Sequence, residues 1–182
     1  AEPIDQVGFD ACLMAMWEVD NQIKPFGSMV SVASEENEPW DGWPYDTILT
    51  DLKANPGWTP AELGYAIVER YYQSYGNDET QSARDLDAAY TDLNHAVDAL
   101  AEALIDYELA YHNQYNTARN AAESFGGGSF VDLYDLAAKL KVYVDQPVIN
   151  AAADNLMAAV DAAVIHERHG SWWPGAHGID LY

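Results

Sequence analysis

The sequence predicts an α/β fold that gives way to helices and returns to strand at its end. Three observations carry this. Short β-rich runs at 4–9 and 28–34 flank a helix-compatible stretch at 13–24. From Leu86 the apolar positions Leu86, Tyr90, Leu93, Val97, Leu100 and Leu104 recur at alternating spacings of four and three, a sustained helical stripe. After Val164 the chain turns β-compatible again and ends on the alternation Gly178-Ile179-Asp180-Leu181-Tyr182. The expected organisation is an α/β portion over 1–85, a helical region over 86–162, and strands of the same core returning over 163–182.

Each element has a local reason. In the 13–24 helix, Leu13, Met16, Trp17 and Ile23 are candidates for the inner face, and Pro25 and Gly27 end it. The loop over 35–45 is acidic and aromatic, and proline and glycine punctuate it. Helices are expected over about 45–54 and 59–75. The second opens with Thr59-Pro60-Ala61-Glu62, a capping box with proline at the first helical position, and Gly76 closes it. A brief strand fits 80–83, with Asp85 as a cap for the next helix. The stripe beginning at Leu86 and a separate helix over 107–124 lead to Gly126-Gly127-Gly128. Helices over 131–141 and 146–162 follow. Val164 and Ile165 start a strand, Trp172-Trp173-Pro174-Gly175 forms a turn, and a terminal strand closes the chain.

Composition narrows the function. With 182 residues and 49% of them apolar, the chain can bury one good core and should not be disordered. Thirty acidic residues against eight basic ones give a net charge of −22. That charge repels nucleic-acid backbones and anionic lipid, so neither is an expected partner. It suits a secreted or salt-tolerant protein, one that attracts cationic substrates, or simple solubility. No apolar run approaches the roughly 20 residues of a membrane helix. No signal peptide is visible, and the chain opens at Ala1 without an initiator methionine, as a processed product or fragment would.

Cys12 is the only cysteine, so no internal disulfide can form. It lies between an apolar stretch and the helix-compatible segment. A thiol at such a junction gains free N–H groups and a partial positive charge. The carbonyl end of a strand is also where open α/β sheets place their sites. Two residues earlier, Asp10 could face the same side.

The run Gly8-Phe9-Asp10-Ala11-Cys12-Leu13-Met14 resembles the segment around the nucleophile of clostripain-like cysteine peptidases, the C11 family of clan CD. Val32-Ala33-Ser34-Glu35-Glu36 and Asp41-Gly42-Trp43-Pro44-Tyr45 are similar to the strand and loop that follow it. Ser82-Ala83-Arg84-Asp85-Leu86 and Ala176-His177-Gly178-Ile179 are weaker echoes in the right order. The resemblance implies a caspase-like α/β/α sandwich, present in part, with an added helical C-terminal region. The portion over 1–85 is then catalytic and carries the nucleophile. It implies an endopeptidase with a Cys–His dyad that cuts after Arg or Lys. Cys12 takes the nucleophile's position, Asp10 that of the acid at the base of the S1 pocket, and Asp41 that of a second pocket acid. In the family the catalytic histidine precedes the cysteine, and no histidine precedes Cys12 here. The resemblance therefore implies the cysteine-bearing part of a zymogen-derived protease. The histidine would lie on an associated N-terminal chain. The substrates it implies are proteins or peptides with a basic residue before the cut. Secretion follows from the family's habits.

Plainer readings stand beside these. A lone cysteine can be an inert core thiol. Asp10 can cap a helix, and Asp41 can be a turn residue. Trp40 and Trp43 can wall a cleft or pin the loop to the core. His166 and His169 lack the spacing of a zinc motif, so no metal site is assigned to them. His95 and His112 sit in helical patterns. The sequence requires no cofactor. Calcium remains an option at Glu35, Glu36, Glu38 and Asp41, which lack EF-hand spacing and fit a solvated loop. The rival function is a non-catalytic acidic α/β module that binds basic peptides or calcium, and a third reading is a pseudoenzyme.

Overall fold

Alternation along two short strands sets the architecture. β1 (Gln6–Gly8) runs parallel to β2 (Val30–Ala33), and α1 (Trp17–Ile23) lies in the crossover between them. The computed structural model describes residues 4–182. β3 (Thr80–Asp85) pairs antiparallel with β2 and, on its other side, with β6 (Val164–His169). The strand order is β1-β2-β3-β6. On one face Val30, Val32 and Ala83 meet Ile67, Val68 and Tyr71 of α3 (Pro60–Tyr75), with α2 (Tyr45–Ala54) alongside. On the other face Ser31, Ser82 and Arg84 are all buried, and α1 brings Asp20 to them.

A second core lies in the helical region. α4 (Ala88–Ala121), α5 (Leu133–Tyr143) and α6 (Pro147–Ala163) pack through Leu93, Leu100, Leu140, Ile149, Leu156 and Val160. A small antiparallel sheet, β4 (Ser124–Phe125), β5 (Phe130–Asp132) and β7 (Asp180–Leu181), joins this bundle to the chain's end.

Several local expectations hold. Thr59 and Glu62 form the reciprocal capping box, with Glu62 Oε2 accepting from Thr59 N at 2.8 Å and Thr59 Oγ1 accepting from Glu62 N at 3.2 Å. Others need correction. α1 begins at Trp17 rather than Leu13, because the Leu13, Met14 and Ala15 N–H groups bond across to the loop after β2 instead of stacking into a helix. The two helices expected over 86–124 are one 34-residue helix, ~50 Å long. No glycine or proline interrupts 88–121, and the packing stripe passes through Tyr107, Tyr111 and Tyr115 without a break. Asp85 ends β3 and is not the helix cap, although its carboxylate accepts the Asp87 N–H at 2.8 Å. Val131 belongs to β5, and Asp132 caps α5 by accepting the Asp135 N–H at 2.6 Å.

Buried acids make the fold pH-sensitive. Asp180 is fully buried, and neither of its carboxylate oxygens has a hydrogen-bond partner among the described residues. Burial pushes its pKa up to about 8, with Arg84 pulling the other way. Glu35 is raised too, by burial first and then by Asp132 and Asp180. A carboxylic acid whose folded pKa lies above its unfolded value stabilises the fold below that unfolded value, and the contribution disappears as pH climbs toward the folded value. The melting temperature should therefore fall between about pH 5 and pH 8.5, by ~5 °C or more. Asp180→Asn should flatten that slope in a thermal-shift series, and an unchanged slope would rule Asp180 out as its source.

Candidate active site

Two loops leave the carbonyl ends of the parallel strands β1 and β2 and meet. After Phe9, whose N–H donates to the Val32 carbonyl at 2.9 Å, the chain departs the sheet and turns at Cys12. Leu13 has a φ of 59°, a left-handed conformation that costs a leucine about 1–2 kcal/mol. The far side of the turn is pinned. Leu13 N–H donates to the Glu36 carbonyl at 3.2 Å, and the Met14 and Ala15 N–H groups both reach the Ser34 carbonyl at 3.0 Å. Cys12 stands exposed at the crest, and its own N–H makes no hydrogen bond among the described residues.

The partner loop is itself anchored. Thr80 Oγ1 accepts the N–H groups of Glu35 and Glu36, each at 3.1 Å, and pairs with Ser34 Oγ at 2.9 Å. Glu36 Oε2 accepts the Gly126 N–H at 3.2 Å, which ties the loop to the glycine turn of the second sheet. Past this anchor, the Glu38 N–H donates to Cys12 Sγ at 3.3 Å.

Between the loops lies an open cleft of about 380 Å³, lined by Asp10, Ala11, Cys12 and residues 38–42. Asp10 Oδ2 accepts the Tyr45 hydroxyl at 2.9 Å. Gly42 has a φ of 69°, and a Cβ there would lie 2.9 Å from Asp10 Oδ2, so the carboxylate uses the space of a missing side chain. Glu38 Oε1 accepts the Trp43 indole N–H at 3.0 Å. Burial pushes the Glu38 pKa up to about 8; the indole hydrogen bond opposes this and Asp10 adds to it. The Tyr45 phenol is pushed up to about 12, by burial first and then by Asp10. Trp43 is buried and pins the loop, whereas Trp40 is fully exposed at the rim. A thiol, a free N–H and three carboxyl groups thus share one cleft that no cationic side chain lines. Such a cleft can present a nucleophile beside a slot for a positive charge.

Comparison with known proteins gives this geometry a family. The sequence matches the profile of the clostripain family, Peptidase C11, over residues 1–172. The chain belongs to the clostripain family. It also has the α/β fold of solved C11 cysteine proteases. A clostripain from Bacteroides thetaiotaomicron, in complex with the peptide inhibitor BTN-VLTK-AOMK, aligns with a TM-score of 0.70 at 15% identity over 98% of this chain and 78% of that one. An inactive zymogen C11 protease from Parabacteroides distasonis gives 0.72 at 16% identity, over 99% and 52%. A secreted C11 cysteine protease from B. thetaiotaomicron, in complex with an irreversible peptide inhibitor, gives 0.68 at 17%, over 100% and 53%. The chain thus spans about half the length of two of these and over three quarters of the other. No functionally curated protein matches the sequence.

In this clostripain-family chain the three residues singled out from sequence, Cys12, Asp10 and Asp41, line the same cleft. The thiol does not lie at a helix N-terminus, since α1 starts five residues later, so neither a helix dipole nor an Asp10 cap operates there. No histidine lines the cleft. His166 and His169 sit on β6, at the opposite end of the strand order from β1, where His166 stacks on Tyr65 and bonds Glu69 at 2.7 Å. His177 stacks on Tyr134 beside Asp132. The three glutamates of the 35–41 loop diverge. Glu35 turns inward to the Gly178 N–H, Glu36 toward Gly126, and Glu38 toward Trp43. Among the described residues no three potential metal ligands converge. Glu38 lines the cleft and Tyr45 bonds its Asp10 carboxylate. The sequence offered Glu38 only as a calcium ligand and Tyr45 only as the end of a matching segment, and gave neither a part in the cleft.

Thr80→Val keeps the side chain's shape and strands the buried Glu35 N–H, while the Glu36 N–H keeps Ser34 Oγ at 3.2 Å. It should cost about 1–3 kcal/mol in urea unfolding. Hydrogen exchange should accelerate at 34–36 and in the Cys12 turn, and exchange unchanged in that turn would show that Thr80 does not hold it.

Proposed function

We propose that this chain is the nucleophile-bearing part of a cysteine endopeptidase that cleaves after Arg or Lys. The observation that carries the reading is an exposed thiol on the rim of a cleft floored with acids and lacking any cation. Cys12 is the nucleophile, and Asp10 and Asp41 receive the P1 side chain. A guanidinium or ammonium in such a slot gains charge-assisted hydrogen bonds. The peptide inhibitor bound to the B. thetaiotaomicron clostripain ends its VLTK sequence in lysine, which agrees with this preference.

The thiolate attacks the scissile carbonyl and forms a tetrahedral intermediate whose oxyanion takes the free Cys12 N–H. A histidine protonates the departing amine, and water then releases the acyl group from sulfur. We place that histidine on an N-terminal segment that associates with this chain. β1 ends the strand order with one edge unpaired among the described residues, which leaves room for a strand beside the Cys12 turn. A zymogen among the similar structures is consistent with maturation by processing. Secretion fits the relatives described as secreted, and no described helix is long and apolar enough to cross a membrane.

The test is an acyloxymethyl ketone probe with arginine or lysine at P1, applied to the protease assembled with its N-terminal segment. Labelling should occur on Cys12 and vanish in Cys12→Ala. Asp10→Asn should slow labelling about 10- to 100-fold for basic probes and much less for a norleucine probe. Binding of basic peptides without any labelling would instead identify a non-catalytic module.

A further inference from the structure

The cleft holds more negative charge than one P1 cation needs, and the surplus is arranged. The Glu38 and Asp10 carboxyl groups line the same cleft, and Asp10 adds to the rise of the Glu38 pKa. Its Oε1 is served by donors, the Trp43 indole at 3.0 Å and the Gln81 amide at 3.4 Å. Its Oε2 is buried and no donor reaches it among the described residues. The groups that face Glu38 are Asp10 from the nucleophile turn, Tyr45 at the start of α2, Tyr71 and Tyr75 on α3, and Gln81 on β3. The Cys12 sulfur and Asp41 share its cleft. None of these is a cation. Two carboxylates that share a partly dry slot, one with a buried and unpartnered oxygen and no counter-ion beside it, do not both stay ionised.

We infer that Glu38 and Asp10 share one proton at the bottom of the slot, and that a basic P1 side chain expels it. This rests on the reading of the cleft as the P1 pocket. In the free protein the pair is one carboxylic acid and one carboxylate, with Glu38 Oε2 donating to Asp10. When an ammonium or guanidinium enters, Glu38 ionises, the proton passes to solvent, and two carboxylates face one cation. The Glu38–Asp10 pair carries −1 before, and the pair with its bound cation carries −1 after. Glu38 is thereby a specificity-determining residue. A neutral side chain leaves the acid pair intact and gains nothing from it, whereas a cation recruits a second anion. The raised Glu38 pKa, about 8, agrees with this. Its direction sets the sign: below that pH, expelling the proton opposes binding, so affinity for a cation weakens by up to about tenfold per pH unit as pH falls.

Benzamidine, a small aryl amidinium, is the probe. Its binding to the assembled protease is measured by titration calorimetry in phosphate and in Tris, whose different ionisation heats report protons exchanged. Close to one proton should be released at about pH 7 and almost none at about pH 9.5. In Glu38→Gln, whose amide oxygen can still accept from Trp43, the release should vanish. Affinity should become flat with pH over that range. A carbon-detected NMR titration of the wild-type protein adds a reading that needs no variant. One glutamate should titrate near pH 8 and drop by at least two units under saturating benzamidine. Benzamidine binding without proton release, or with equal release in Glu38→Gln, overturns the shared proton and leaves the P1 pocket standing. No benzamidine binding at all, together with no protection of Cys12 from iodoacetamide, overturns the pocket and this inference with it.

Discussion

Arg84 is the buried cation on which the middle layer depends. Strand alternation points Ala83 into the apolar core under α3 and turns Arg84 to the opposite face, where it is completely buried. There its guanidinium makes a bidentate pair with Asp20 of α1 at 2.6 and 3.2 Å, and bonds Ser31 Oγ of β2 and Ser82 Oγ of its own strand, each at 2.7 Å. A buried ion pair of this kind adds little net stability over an apolar replacement, yet removing one partner costs several kcal/mol. Its structural effect is to fix direction. Ser82, held by Arg84, donates to the Gly178 carbonyl at 2.7 Å, and Gly178, with a φ of 93°, has no room for a Cβ against Ser82. The chain's end is thereby laid along the polar face, where the Asp180 N–H reaches the Ala15 carbonyl at 3.1 Å. The turn that bears Cys12 is thus connected to Arg84 through three hydrogen bonds, Arg84 to Ser82, Ser82 to Gly178 and Asp180 to Ala15.

The helical region serves the same turn from another side. Its long helix is not an appendage, because the chain leaving α4 forms β4 and the glycine turn whose Gly126 N–H holds Glu36. β5 then pairs with β7, and the Leu133 N–H takes the Ile179 carbonyl at 2.9 Å. The bundle that buries Leu100, Leu140 and Leu156 therefore orders the loop facing the thiol. A strained left-handed Leu13 persists only where its surroundings over-determine it. Here three backbone hydrogen bonds from 13–15 meet a loop that is fixed by both cores.

What could be read from the sequence followed local physics. The capping box at Thr59 and Glu62, the stripe from Leu86 and the turn residues around 25–27 speak through nearest neighbours, and the structure keeps them. The resemblance around Cys12 singled out Asp10, Cys12 and Asp41, which the fold brings to one cleft. The misses are tertiary. Residues 13–16 have helix-compatible side chains, but cross-loop hydrogen bonds to Ser34 and Glu36 outcompete the helix there. Nothing local marks Glu38 as different from Glu35 or Glu36. The three diverge because one meets the chain's end at Gly178, one the Gly126 turn and one Trp43. Three acids spaced within four residues thus take three unrelated environments.

Those environments divide the chain's acidity into two kinds. Asp180 and Glu35 are sealed beneath the sheet, where Asp20 already engages Arg84, the one buried cation among the described residues, and their neutral forms suit the fold. Glu38 and Asp10 lie at an open cleft, where an arriving cation can compensate the ionised pair. The first kind favours mild acid and, on the proposed reading of the cleft, the second favours higher pH, since one group stays neutral to be buried and the other ionises to bind a cation. If the cleft is the proposed P1 pocket, the protease works where the cleft pair can release its proton to solvent as a substrate cation arrives, while the interior acids keep theirs. The same excess of carboxylates that gives the chain its −22 charge is therefore not uniform in effect. The distinction rests on solvent access. The cleft is open to a counter-ion, and the space beneath β2 and β3 is closed to one.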